Sequence, residues 1–208
     1  MIEDVVTSET VEVIADISTA TSGFYLAGGT GLALQLGHRM SLDLDFFSPV
    51  PFNTDIIANK IAPGKIFFAT EGTLHCELKG VKLSFLFYPE PLIYPETIWR
   101  GIRVADWRDI AAEKIKTISQ RGAKKDFYDL YAVLKLKLSI KELCQVFNKR
   151  FRGSGINRYH VLKSIFYFED AEIDPDPVIL IKDEDWRWHQ VRGFFEKNVQ
   201  EFEKYLLR

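Results

Sequence analysis

Asp43 and Asp45, the two acids of "SLDLDFF", stand one residue apart downstream of the glycine pair in "GGTGLALQL". On an extended strand side chains alternate faces, so both carboxylates point the same way, roughly 6.6 to 6.8 Å apart along the backbone. Like charges so placed repel unless a cation or buried donors offset them. A pair of divalent ions about 3.5 to 4 Å apart suits that spacing and is the usual clamp for phosphoryl and nucleotidyl transfer. Magnesium favours such hard oxygen ligands together with water and substrate phosphates. The plain alternative is a solvated surface pair. Gly28, Gly29 and Thr30 lie where a short apolar run, "FYLAGG", gives way to a helical one. Unpaired N–H groups and the positive end of a helix can hold a phosphate there, and glycine lets it come close. Arg39, just ahead of the aspartates, reads either as a triphosphate contact or as a cap on the preceding helix end.

A second set of residues sits in "DIAAEKIKTISQRGAKKDFYDLYAVL". Ile110, Lys114, Thr117 and Arg121 recur at helical spacing, so Lys114 and Arg121 share one face, apart from the apolar stripe of Ala111, Ile115 and Ile118. A point charge such as Lys114 suits a triphosphate whose charge shifts during reaction; the alternative is a solvated lysine paired with Glu113 or Glu142. Asp126 can cap the next helix and pair with Arg121, or take part in chemistry. Asp129 and Tyr131 read as organisers of helix packing.

These residues need positioning elements. Glu3 to Ala20 has roughly helical spacing, and "FYLAGG" reads as a buried strand entering a glycine turn. "TGLALQL" suits a short helix begun by Thr30 and stopped near Gly37. "SLDLDFF" alternates as a strand that buries Leu42, Leu44 and Phe46. "GKIFFATEG", "TLHCEL" and "VKLSFLFY" read as further strands, the last two joined by a tight turn at Lys79-Gly80. That turn sets His75 opposite Ser84 and Glu77 opposite Lys82 on one polar face. Beyond Pro89, Pro91 and Pro95 the pattern becomes helical, which places a boundary near residue 95.

The chain has 208 residues, 47% apolar, with 27 Lys and Arg against 29 Asp and Glu, so it can fill a core and its overall charge points to no partner. Cys76 and Cys144 are far apart, lack metal-ligand spacing and read as free thiols of a reducing compartment. No apolar run nears the roughly 20 residues of a membrane span. The acidic start MIEDVV lacks the order of a signal peptide, so the expectation is a cytoplasmic protein without a membrane partner.

"GGTGLALQLGHRMSLDLDFF" and, in order after it, "DIAAEKIKTISQRGAKKDFYDLYAVL" resemble the two motifs of the AbiEii/AbiGii-type nucleotidyltransferases, a branch of the DNA polymerase β-like superfold. The resemblance implies an α+β fold: a nucleotidyltransferase-like mixed β-sheet lobe with flanking helices over residues 1–95, then a helical lobe over 96–208. It implies transfer of a nucleoside monophosphate from an NTP to an acceptor. Several members act as toxins of toxin–antitoxin or phage-defence systems, and some modify transfer RNA, so the implied partners are an NTP, an RNA acceptor and a cognate antitoxin. Carried onto this chain, Asp43 and Asp45 are the ligands of Mg²⁺ or Mn²⁺ and are catalytic with Lys114 and Asp126. Gly28, Gly29, Thr30, Arg39, Lys114 and Arg121 bind the nucleotide.

One departure stands out. The superfold usually carries a third carboxylate on a later strand, and Ser84 occupies the corresponding place. Glu77 or His75 is a candidate substitute. The departure keeps open a second reading, a catalytically weak or inactive protein of the same fold that binds a nucleotide or a partner. Leu143 to Phe168 contains no acid, while Glu169 to Asp185 holds eight acids and only Lys182 as a base. The basic part suits a polynucleotide backbone, or the two segments neutralise one another.

Overall fold

The structure, a computed structural model, describes residues 1–208 and divides into two compact units. The first comprises Met1–Gln35 and Ser41–Asp106, the second Leu36–Met40 and Trp107–Arg208.

The first unit is built on a seven-stranded mixed sheet. Its strands are β1 (Tyr25–Leu26), β2 (Leu44–Ser48), β3 (Lys65–Thr70), β4 (Thr73–Leu78), β5 (Val81–Phe87), β6 (Thr97–Trp99) and β7 (Ile102–Val104). Their order across the sheet is β3-β4-β5-β2-β1-β7-β6. β2 runs parallel to β5 and β1 parallel to β7, and the other neighbours are antiparallel. Helices α1 (Ser8–Ile17), α2 (Gly28–Leu36) and α3 (Thr54–Ile61) accompany it. Thr7 caps α1 by accepting from the Thr10 N–H, which starts that helix later than its helical spacing alone suggests. The apolar face of β2 is secured by Leu44 and Phe46, both fully buried, with the Phe46 ring stacked 5.1 Å from Phe85 on β5.

Several sequence expectations need adjustment. The sheet takes in Thr97–Val104, beyond the boundary read at residue 95, and the first unit runs to Asp106. The proline run is a loop followed by two three-residue strands, of which β7 pairs with β1 and β6 with β7. β2 begins at Leu44, so Ser41–Asp43 precede it and Leu42 is exposed rather than buried. The turn at Lys79-Gly80 is as expected: both residues have positive φ, 50° and 79°, and the register sets His75 opposite Ser84 and Glu77 opposite Lys82.

The second unit is helical: α4 (Trp107–Arg121), α5 (Lys124–Leu136), α6 (Ile140–Arg150), α7 (Arg158–Ile165), α8 (Glu169–Ile173), α9 (Trp188–Lys197) and α10 (Val199–Leu206). Ser139 and Glu142 form a reciprocal capping box on α6. An aromatic cluster of Phe127, Phe168, Trp188 and Phe195 fills the space between α5 and α9. The segment Leu36–Met40 belongs here because its backbone pairs with 178–180, through Met40 N–H to Val178 O (2.8 Å) and Leu180 N–H to His38 O (2.9 Å).

Candidate active-site residues

In the first unit α2 begins at Gly28, so both glycines lie inside its first turn and Thr30 is not its cap. Gly31 is the first residue of the turn whose N–H reaches back to a helical carbonyl, that of Ala27 at 2.9 Å. The amides of Gly28, Gly29 and Thr30 are thus the donors of the helix end, and both glycines are partly exposed. Gly28 has φ +61°, and a Cβ there would lie 2.5 Å from Asp45 Oδ2. The Asp45 carboxylate therefore sits directly against the turn, where the helix dipole favours an anion. The Ala27 N–H donates to Asp45 O at 3.0 Å and fixes strand and turn together.

Thr30 is buried and its hydroxyl proton is shared between Ser41 Oγ (2.7 Å) and the Asp43 carbonyl. It anchors the backbone entering β2, while its side chain does not face a ligand. Asp43 and Asp45 are each partly exposed. On the other side of Asp45, Ser84 is its register partner across the parallel β2–β5 pair. Ser84 Oγ lies 3.1 Å from His75 Nδ1, and His75 is on β4, one strand further from Asp45. Glu77 faces Lys82 instead. A hydroxyl thus occupies the place beside the aspartate, and nowhere in the chain do three or more His, Cys, Asp or Glu side chains gather as a metal cluster.

The donor set of this first unit suits a nucleotide-bound magnesium ion. Two hard carboxylates, completed by phosphate oxygens and water, match the ion's habit of binding few protein ligands, and the absence of a Cβ at Gly28 lets the Asp45 carboxylate sit against the turn.

The second unit holds a buried ion network. Asp129 accepts a bidentate pair from Arg39, Nε at 2.6 Å and Nη2 at 2.9 Å. It also accepts from His38 Nε2 at 2.8 Å and pairs with Lys114 Nζ at 2.5 Å. Lys114 Nζ meets Asp126 Oδ1 at 2.6 Å, and Asp126 is gripped by Arg121 through Nε at 2.9 Å and Nη2 at 3.2 Å. Arg121 is half exposed at 53%, so the network opens to solvent at that end alone among these cations, since Arg39 and Lys114 are buried.

Sequence spacing placed Lys114 on a solvent-facing strip. The structure buries it, because Asp126 and Asp129 on α5, three residues apart and so on one face, pack against it. Its other candidate partners are engaged elsewhere: Glu113 with Arg150, and Glu142 in the α6 cap. Asp126 pairs with Arg121 as expected but does not cap α5; Asp174 does, accepting from the Lys124 N–H at 2.9 Å. Arg39 neither reaches outward nor caps α2, since its fork is held by Asp129 and its Nη1 by the Met40 carbonyl at 2.9 Å.

The network sets its own protonation. Burial disfavours the Lys114 ammonium, but Asp126 and Asp129 outweigh it and raise its pKa. Burial likewise acts against the Asp129 carboxylate, yet Arg39 and Lys114 hold it well below the usual carboxylate range. Asp126 is lowered in the same way, burial being overcome by Lys114 and Arg121. At His38 burial prevails over Asp129 and lowers the imidazole pKa. The neutral ring donates from Nε2 and leaves Nδ1 buried without a partner. Sequence reading missed His38 and gave Asp129 only a packing role. The available signal was the His38-Arg39 pair after Gly37, with an Asp-x-x-Asp spacing on α5 to receive it.

The family of the nucleotidyl transferase AbiEii toxin, of type IV toxin–antitoxin systems, matches residues 13–77 and 80–208. The chain belongs to the AbiEii family. It is accordingly a nucleotidyltransferase of a toxin family, which implies an NTP substrate and an antitoxin partner. An uncharacterized protein of Aquifex aeolicus, aq_aa25, is 38% identical over 187 residues, covering 86% of this chain and 87% of that protein. The solved structure of MenT4, a nucleotidyltransferase toxin of Mycobacterium tuberculosis, superposes with a TM-score of 0.59 at 16% identity, covering 96% of this chain and 91% of that one. A putative nucleotidyltransferase from H. pylori gives a TM-score of 0.52 at 17% identity, with 94% of each chain covered. These two likenesses are of fold, and they agree with the mixed sheet and helices expected from the AbiEii motifs. No helix is long and apolar enough to cross a membrane.

Proposed function

We propose that the Gly28–Thr30 turn and the Asp43/Asp45 pair bind the triphosphate of an NTP together with Mg²⁺ or Mn²⁺, and that the acceptor is an RNA hydroxyl, with transfer RNA one such acceptor. The observation that carries this reading is the seating of Asp45 against Gly28 at the free amide end of α2. It brings an anionic metal ligand and phosphate donors to one place on a rigid strand–turn–helix unit.

In the reaction the acceptor hydroxyl gives its proton to water, its oxygen forms a bond to the α-phosphorus, the bond from that phosphorus to the β-bridging oxygen breaks, and pyrophosphate leaves. When bound, the divalent ion supplies neutralisation of the phosphate charge. Asp43 and Asp45 hold it. The amides of Gly28, Gly29 and Thr30 orient the phosphates, and the Thr30 hydroxyl keeps the Asp43 backbone in place. Lys114 has three ammonium donors, of which Asp126 and Asp129 take two. Within the second unit Arg121 carries charge at the solvent-exposed end of the network. Asp126 and Asp129 keep Lys114 charged, and Arg39 and His38 position Asp129.

Incubation with each labelled NTP in turn, Mg²⁺ and total RNA tests the reading. Label covalently attached to RNA, and lost in Asp45→Asn, is the expected result. Label on protein alone, or none on any acceptor, contradicts the RNA assignment.

A further inference from the structure

We infer that a basic groove between α6 and α10 of the helical unit is a docking site for the phosphodiester backbone of single-stranded RNA. The groove encloses about 370 Å³ and contains Lys141, Lys149, Arg152, Arg158 and Arg208, with no acidic side chain in its lining; Arg158 Nη1 donates to the main-chain Arg208 O at 3.2 Å. On α6, Lys141, Gln145 and Lys149 recur every fourth residue, which sets them along one face, and Arg152 follows just past the end of the helix. Lys141 and Lys149 are therefore about 12 Å apart along the axis at 1.5 Å per residue. Asn148 Nδ2 donates to Tyr205 O at 3.0 Å and joins the two helices at the groove. The half-buried Tyr205 ring carries Lys204 Nζ at 4.9 Å, so an aromatic surface lies among the cations. Row of cations and ring match the needs of a single strand, whose backbone tracks basic side chains and whose bases stack on aromatics.

The neighbouring acidic segment does not claim these charges. Asp176 pairs with Lys124, Asp185 with Lys135, Glu172 with Arg192, and Asp174 caps α5. Within the basic stretch, Arg150 is neutralised inside the fold by Asp109 and Glu113. The segregation seen in the sequence is thus resolved by pairing of the acids with other helices. A carboxylate-rich protein is the other polyanion to consider, but the stacking ring of Tyr205 favours a nucleic acid strand.

The proposal rests on the reading that RNA is the acceptor, and the two are separable by experiment. Binding of a short fluorescein-labelled single-stranded RNA to the full chain is followed by anisotropy over a KCl series, beside a poly-glutamate competitor. With four or five phosphate contacts the logarithm of affinity falls against log salt with a slope on the order of −3. Lys141→Ala/Arg152→Ala, at exposed positions, leaves the melting curve unchanged and makes the slope shallower by about 1.4. Asp45→Asn binds the RNA like the wild type. Equal affinity and slope in wild type and double variant overturn the groove, as does displacement of the RNA by poly-glutamate at equal charge concentration. If the RNA binds as described but accepts no label from NTP, the acceptor reading fails and the groove stands. If label transfers while the double variant binds unchanged, the groove fails and the acceptor reading stands.

Discussion

Gly28 and Asp45 are in a contact that only glycine allows: a Cβ at Gly28 would fall 2.5 Å from Asp45 Oδ2, on a backbone already at φ +61°. Gly28→Ala therefore both strains the turn, at about 1–2 kcal/mol for the left-handed conformation, and displaces the carboxylate proposed to hold metal. Calorimetric titration with an NTP and Mn²⁺ is expected to show clearly weaker binding in a folded Gly28→Ala than in the wild type. Equal affinities mean that the turn does not shape the nucleotide site.

Lys114 is enclosed by Asp126 and Asp129. Lys114→Ala leaves two buried carboxylates short of a partner, a loss of about 3–5 kcal/mol. For a chain of this size that corresponds to a fall in Tm of roughly 6–20 °C at about 2–4 °C per kcal/mol. Thermal melting checks it; a variant that melts within a degree of the wild type shows that the lysine is solvated instead.

The hairpin at Lys79-Gly80, the pairing of Glu77 with Lys82 and the helical unit were legible because each follows from local chemistry. Two residues with positive φ make a tight turn, and apolar spacing of 3.6 makes a helix face. What was not legible depends on distant partners. Lys114 looks like a surface lysine until α5 brings Asp126 and Asp129 onto it, and His38 and Arg39 find Asp129 about ninety residues later in the chain. Likewise β6 and β7 are three residues each, too short to show a period; β7 forms on the edge of β1 and β6 on that of β7. At the candidate site, Asp43, Asp45 and the glycines could be read from spacing, whereas the burial of the Thr30 hydroxyl against the Asp43 carbonyl could not.

The network also fixes the pH dependence of stability. The folded His38 pKa lies below 6.5, so as pH falls beneath that value the unfolded chain takes up a proton that the folded one refuses. Stability is full above about pH 6.5 and declines as pH drops through the folded value. A second loss begins near the ordinary Asp value of 3.8, since Asp126 and Asp129 are lowered in the fold. On the alkaline side, the contribution of Lys114 is complete below 10.5 and disappears as pH rises through its raised folded pKa. Tm measured against pH should show the first decline, and His38→Gln, which keeps a donor for Asp129, should flatten it. An unchanged slope between pH 6.5 and 5 in that variant assigns the decline to another group.

Ser84, beside Asp45 in the β2–β5 register, offers a gain-of-function test. Ser84→Asp sets like charges on adjacent strands, a cost of about 0.2–1 kcal/mol without metal. With Mn²⁺ the variant should gain more thermal stability than the wild type, because a third hard ligand tightens binding to the folded state alone. The same Mn²⁺ shift in both proteins means that the position does not face the metal.

The central claim, that Asp43 and Asp45 hold a metal-bound nucleotide against the glycine turn, is tested most directly by melting the wild type and Asp45→Asn in chelator and in millimolar Mn²⁺ with an NTP. Without metal, Asp45→Asn should be as stable as the wild type or slightly more so, because one of two neighbouring like charges is gone. With Mn²⁺ and NTP the wild type should rise in Tm and the variant should rise far less. Identical rises in the two proteins contradict the claim.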